Sequence, residues 1–298
     1  MAVYAFLGII EYFSLNPGTK ETVAHLTNSD DFLELTKGNT DIRGIILSTR
    51  ADDGTTVLVI GDSISRQMFS QFAEDMPEVH IACANAAINI TGQYMLAMEY
   101  LDTHPATTDV WLYAHPLTIT ATFNLNTGYV YGVIPFAQEG SLRYLDDEMM
   151  DKMASVYGRW TMSESVASLI NDSPVNSKLF FSYLNLHRSE YEQANAYEIS
   201  SEMILKLREV CEERGIRLHF YSSPSTEFYR EKIEETREDY MASPLYELYP
   251  DYLDDIYYFP SEWSDDLTHF GAEYANRETY EYVIENAYPE SVLCYNED

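Results

Sequence analysis

The chain has 298 residues, 46% of them hydrophobic, which suffices for a sizeable core and excludes a disordered chain. Eighteen Lys and Arg stand against 49 Asp and Glu, a formal net charge of −31 at pH 7. That balance leaves no basic stripe for phosphate and excludes nucleic acid as a partner. It would repel anionic polymers too, unless Arg43, Arg50 and Arg66 form a local positive patch.

Residues 2–10 are apolar, too few to span a membrane, and have no Lys or Arg before them. Residues 1–13 read either as the trimmed end of a membrane anchor or as a first element packed on the domain. Asn28-Ser29-Asp30-Asp31 is a cap for a short segment at residues 32–35, closed by Gly38. Residues 42–47 read as an extended or edge segment, and Asp52-Asp53-Gly54 as a turn. Residues 1–50 thus form an N-terminal segment, and 51–298 the main domain.

Val57-Leu58-Val59-Ile60 is aliphatic without alternation, the pattern of a strand buried on both faces. It ends in Gly61-Asp62-Ser63, and a serine there stands at the carboxyl edge of a sheet, where open α/β folds bind ligands. Residues 65–75 follow as a helix with Met68, Phe69 and Phe72 on one face. Residues 79–84 are the second strand, 91–101 a helix, and 110–113 the third strand. Residues 119–195 break the alternation and read as an insertion, a lid or substrate-shaping region. A helix over 201–213, stopped by Gly215, leads to a strand over 216–221. An aromatic-acidic stretch spans residues 246–263, able either to stack on sugar rings or to pack the domain, and a closing helix spans 272–287. The alternation argues an α/β fold with a mostly parallel sheet.

A serine hydroxyl needs a base, and the base an orienting partner. Of the seven histidines, only His269 has an aspartate three residues before it, Asp266. Apart from His115, the other five read as structural or surface residues. Two plainer readings stand beside the catalytic one: Asp62 or Ser63 as a helix cap, and Asp266 with His269 as a surface hydrogen bond. Cys83, Cys211 and Cys294 give neither a disulfide framework nor a metal spacing, and no pattern calls for a cofactor. Asn89-Ile90-Thr91 and Asn171-Asp172-Ser173 match glycosylation sequons, a triplet common by chance.

On Gly61-Asp62-Ser63 and Asp266-x-x-His269 the chain resembles the SGNH, or GDSL-like, hydrolase family, over roughly residues 54–287. The resemblance implies a flavodoxin-like three-layer α/β/α domain and serine ester hydrolysis or O-acyl transfer. Ser63 would be the nucleophile, His269 the general base and Asp266 its orienter. Gly92 best matches the family's oxyanion-hole glycine, its N–H joining that of Ser63, though it also suits a plain turn. The family's Gly-x-Asn-Asp block is replaced by Tyr113-Ala114-His115-Pro116. His115 either stands in for the asparagine as a neutral imidazole donor or is a satisfied strand-end histidine.

The altered middle blocks look like those of relatives that add or remove acyl groups on cell-surface polysaccharides. The resemblance therefore implies an acylated carbohydrate or a small ester as substrate and an extracellular or envelope location, with a cytoplasmic one still open. The alternative is a catalytically weak carbohydrate-binding or assembly module that keeps the fold.

Overall fold

The structure, a computed structural model, describes residues 41–124, 128–171 and 190–288. The expectations for residues 1–40 and for Cys294 lie outside these residues. The described residues fall into two compact units, 41–44 with 123–124, 128–171 and 190–191, and 45–122 with 192–288.

The second unit is an α/β domain built on a parallel sheet of four strands: β1 (Val57–Gly61), β2 (Val79–Cys83), β3 (Asp109–Tyr113) and β4 (Arg217–Tyr221). The strand order is β2-β1-β3-β4, parallel throughout. Parallel strands need crossovers, and helices supply them. α1 (Ser63–Phe69) leads from β1 toward β2, α2 (Asn89–Thr103) joins β2 to β3, and α3 (Glu198–Arg214) precedes β4. The last helix is α4 (Arg277–Ala287).

Helices cover both faces of the sheet. On one face, Val59, Val79, Trp111 and Tyr113 pack with Met68 and Phe69 of α1 and with Tyr280, Val283 and Ile284 of α4 in one buried cluster. On the other, Leu58, Ile60, Val110 and Leu112 are fully buried, with α2 and α3 packed against each other and against β1 and β4. Burial on both faces is why β1 and β3 carry apolar residues without alternation. β4, at one edge of the sheet, is more exposed, with His219 stacked on Trp111 at 3.8 Å between ring centroids.

The chain leaves β1 for β2 on one side and returns to β3 on the other. The carboxyl ends of β1 and β3 therefore flank the point where the winding reverses, and a crevice opens there in such sheets.

Local structure departs from the sequence reading at three places. Residues 41–49 are helical rather than extended, because Ile42, Ile46 and Thr49 recur at helical spacing and are all buried. The helix expected over 65–75 begins at Ser63, since Asp62 caps it. The closing helix begins at Arg277, where the Asn276 side chain accepts the Thr279 N–H.

The positive patch does not form as read. Arg43 is paired with Glu139 at 2.6 Å and Arg50 with Glu99 at 2.7 Å. Asn89, the first sequon position, is buried.

In the first unit, Asp147–Tyr157 and Glu164–Asn171 are helical, with Asp146 capping the former through the Met149 N–H. Tyr129, Phe136, Met149, Met153 and Ala167 are buried in it. The Tyr129 hydroxyl donates to the Thr161 carbonyl at 2.8 Å, and the Tyr157 hydroxyl to the Asn124 carbonyl at 2.8 Å.

Candidate active site

Gly61 ends β1 with no room for a side chain. A Cβ there would lie 2.6 Å from Ser65 Cβ and 2.8 Å from the Tyr113 carbonyl oxygen. Its absence lets α1 start directly against the strand tip. Asp62 then caps α1, its Oδ1 accepting from the Ile64 and Ser65 N–H groups, each at 3.1 Å. Its Oδ2 accepts from the His115 N–H at 2.8 Å and the Ser223 hydroxyl at 2.9 Å. One buried carboxylate thus ties together the tips of β1, β3 and β4. The cap also leaves Ser63 at the first helical position, where its N–H has no intrahelical acceptor.

The Ser63 hydroxyl lies 2.8 Å from His269 Nε2, although 206 residues separate them in sequence. His269 Nδ1 lies 2.7 Å from Asp266 Oδ2. An imidazole whose Nδ1–H donates to a carboxylate has its Nε2 lone pair free to accept the serine proton. Asp266 Oδ1 accepts the Thr268 and His269 N–H groups at 2.8 and 2.7 Å, closing a tight turn that fixes the aspartate against its histidine. Partial burial by itself would push the Asp266 carboxyl up. The hydrogen bonds from the His269 backbone and ring and from Thr268 outweigh it and hold the group well below the usual carboxylate range. Leu267, inside this turn, has φ 66, and its carbonyl accepts the Thr226 hydroxyl at 2.7 Å.

Gln67 joins the two halves of the site. One helical turn after Ser63, its Nε2 donates to the Phe270 carbonyl at 2.7 Å, and its Oε1 accepts the Phe270 N–H at 3.0 Å. The helix bearing the serine and the loop bearing the histidine are thereby clamped side by side.

His115 follows β3, whose register pairs Tyr113 with Gly61, so it comes up beside Asp62. Its Nδ1 accepts the Leu117 N–H at 3.1 Å, capping the short helix Pro116–Ile119. That assigns the proton of the neutral ring to Nε2. Burial pushes the imidazole down from 6.5 to about 4, against a smaller opposing pull from Asp62. His115 is therefore a neutral N–H donor at neutral pH.

Of the residues singled out from sequence, the fold unites Ser63, His269 and Asp266 in one hydrogen-bonded chain and brings His115 next to Asp62. Gly92 is not available for the role assigned to it. It is the fourth residue of α2, where the helix's own hydrogen-bond ladder takes up its N–H. Sequence reading missed Gln67, Ser223 and the buried hub at Asp62. The four-residue spacing of Gln67 from Ser63 is the one local signal that pointed to it. Three of the other histidines do find carboxylates, from distant parts of the chain: Asp53 lies 2.9 Å from His80 and 3.1 Å from His104, and Asp109 lies 2.9 Å from His219.

No protein-family model, no curated protein and no solved structure matches this chain.

Proposed function

We propose that the protein is a serine-dependent ester hydrolase or O-acyl transferase acting on acylated carbohydrates or small esters through an acyl-enzyme on Ser63. One observation carries this reading: the unbroken line from the Ser63 hydroxyl through His269 to Asp266, at 2.8 and 2.7 Å. Ser63 Oγ attacks the ester carbonyl while His269 Nε2 takes its proton. Asp266, ionised at all ordinary pH, steadies the imidazolium that forms. The Ser63 N–H and the His115 Nε2–H supply donors for the oxyanion. Collapse expels the alcohol, which receives the proton from His269. Water then resolves the acyl-enzyme in hydrolysis, or a sugar hydroxyl in transfer, with His269 acting again as base.

With the Gly92 N–H committed to its helix, the oxyanion has fewer donors than the family resemblance implied. Loss of one such donor costs about 10²–10³ in rate, which keeps a weakly catalytic, carbohydrate-binding reading in view. The two readings separate in one experiment. A serine-reactive phosphonate is applied, the adduct mapped by mass spectrometry, and acetate release from acetylated xylan compared with that of Ser63→Ala and His269→Ala. The enzymatic reading expects label on Ser63 and acetate release lost in both variants. Glycan binding that survives Ser63→Ala, with no label and no turnover, would establish the other.

A further inference from the structure

Of the three arginines expected to form a positive patch, Arg66 is the one left without a partner among the described residues. Every other described arginine has a carboxylate or an aromatic ring beside it, down to Arg143 over Tyr144 and Arg277 against Asp75 and Glu281. Arg66 is exposed and has neither, in a chain where 49 Asp and Glu stand against 18 Lys and Arg. The helix that bears it, Ser-Ile-Ser-Arg-Gln-Met-Phe, holds no acid that could pair with it.

Arg66 stands one helical turn after Ser63. Residues three apart on a helix are neighbours, about 5–6 Å between Cβ atoms, and a helical side chain leans toward the N-terminal end. The Arg66 stem therefore leans toward the turn that carries Ser63. The third and fourth residues after Ser63 fall on either side of it around the helix. Gln67, the fourth, grips Phe270, so the loop bearing His269 runs along the Gln67 flank and Arg66 holds the other.

The charge of Arg66 is felt at the strand tips below. Burial and Asp62 push the Cys83 thiol up, and Arg66 pulls against them. Cys83 is the register partner of Gly61, and the Ala84 N–H donates to the Gly61 carbonyl at 2.9 Å, so the tip of β2 lies against the turn that presents Ser63. The carboxylates of the site are already engaged. Asp62 is buried and accepts from Ile64, Ser65, His115 and Ser223, and Asp266 is bound to His269. A carboxylate arriving beside Ser63 would meet in Arg66 a planar fork of N–H donors matched to its two oxygens, and local relief from the net charge of −31.

We propose that Arg66 recognises an anionic group of the substrate, so that the preferred ester carries a carboxylate close to its scissile carbonyl. An acylated acidic sugar would supply it from the alcohol side, and a half-ester of a dicarboxylic acid from the acyl side. The proposal rests on the acyl-enzyme reading for the position of the carbonyl, but not for the binding of the anion.

Two pairs of esters test it. O-acetylglycolate against ethylene glycol monoacetate places the carboxylate on the alcohol; monoethyl succinate against ethyl butyrate places it on the acyl group. For at least one pair, the ratio of kcat/KM, anionic over neutral, should fall about 3–10-fold in Arg66→Gln at low salt, through KM. Arg66→Glu should lower the ratio further, Arg66→Lys should keep part of it, and added salt should shrink the gap between native and Arg66→Gln protein. The pair that responds identifies the side of the ester that bears the charge. Urea unfolding verifies that the variants fold. Saturation-transfer NMR with the same two anionic esters and Ser63→Ala protein reads binding without chemistry. Binding that the further change Arg66→Gln removes supports the recognition even when no ester is turned over, in which case the acyl-enzyme reading alone falls. Turnover through a labelled Ser63 with both ratios unmoved by Arg66→Gln, or with kcat lowered equally on charged and neutral esters, would overturn the proposal and leave the acyl-enzyme reading standing. Binding to Ser63→Ala protein that is absent or indifferent to Arg66 would overturn it as well.

Discussion

Acidification should destabilise this protein through His115. The folded imidazole titrates at about 4, against an ordinary 6.5 in the unfolded chain. Above the unfolded value neither state holds the proton, and His115 adds no pH dependence. As the pH falls below 6.5 the unfolded chain takes up a proton that the folded chain refuses, so stability drops. The loss levels off once the folded ring also protonates, near 4. The gap between the two values corresponds to about 3 kcal/mol, a large share of the stability of an ordinary domain. With His115 only 6% exposed, solvent screening does little to reduce this figure.

The comparison protein is His115→Asn, because asparagine can still accept the Leu117 N–H as a helix cap but does not titrate. Urea unfolding would be followed for both proteins from about pH 7.5 down to about pH 3.5. Carboxylates remote from position 115 are common to both proteins, so the difference curve reads the histidine together with its contact to Asp62. It should be flat above 6.5 and should fall steadily in the native protein between 6.5 and about 4. A flat difference across that window, or native stability rising on acidification relative to the variant, would refute the assignment of His115 as a buried neutral donor.

On the proposed mechanism Gln67→Ala should lower kcat by about tenfold or more with KM little changed, since the clamp on Phe270 positions His269 rather than the substrate; steady-state kinetics reads the split. Gly61→Ala should cost about 1–3 kcal/mol in urea unfolding, because the added Cβ overlaps Ser65 and the Tyr113 carbonyl. Asp62→Ala should cost about 3–5 kcal/mol by the same measurement, since it strands buried donors on Ile64, Ser65, His115 and Ser223. Burial pushes the Cys211 thiol up to about 12 and that of Cys83 well above its usual range. Both should therefore resist alkylation in the native protein and label only on unfolding, as mass spectrometry of the alkylated protein would reveal.

The strands and the turn at Ser63 were legible in the amino-acid order because their causes are local. An unalternating aliphatic run specifies a strand covered on both faces, and Gly61-Asp62-Ser63 carries its own turn and cap. Asp266 and His269 were legible as a pair for the same reason, three residues apart in one turn. Residues 42–47 were misread because a short apolar run fits strand and helix alike, and only the burial of Ile42, Ile46 and Thr49 on one helical face decides between them. Gly92 was misplaced because a glycine in a sequence does not reveal whether its N–H is free; the helix beginning at Asn89 had already taken it.

What only the tertiary structure decided is every relation that spans the sheet. The parallel order β2-β1-β3-β4 puts His115 beside Asp62, and the return of the chain before α4 sets His269 against Ser63. Gln67 acquired a role from the loop it grips. Backbone propensity and capping act over a few residues and are written in the order of the chain. Hydrogen bonds and burial between distant segments exist only once packing has brought those segments together.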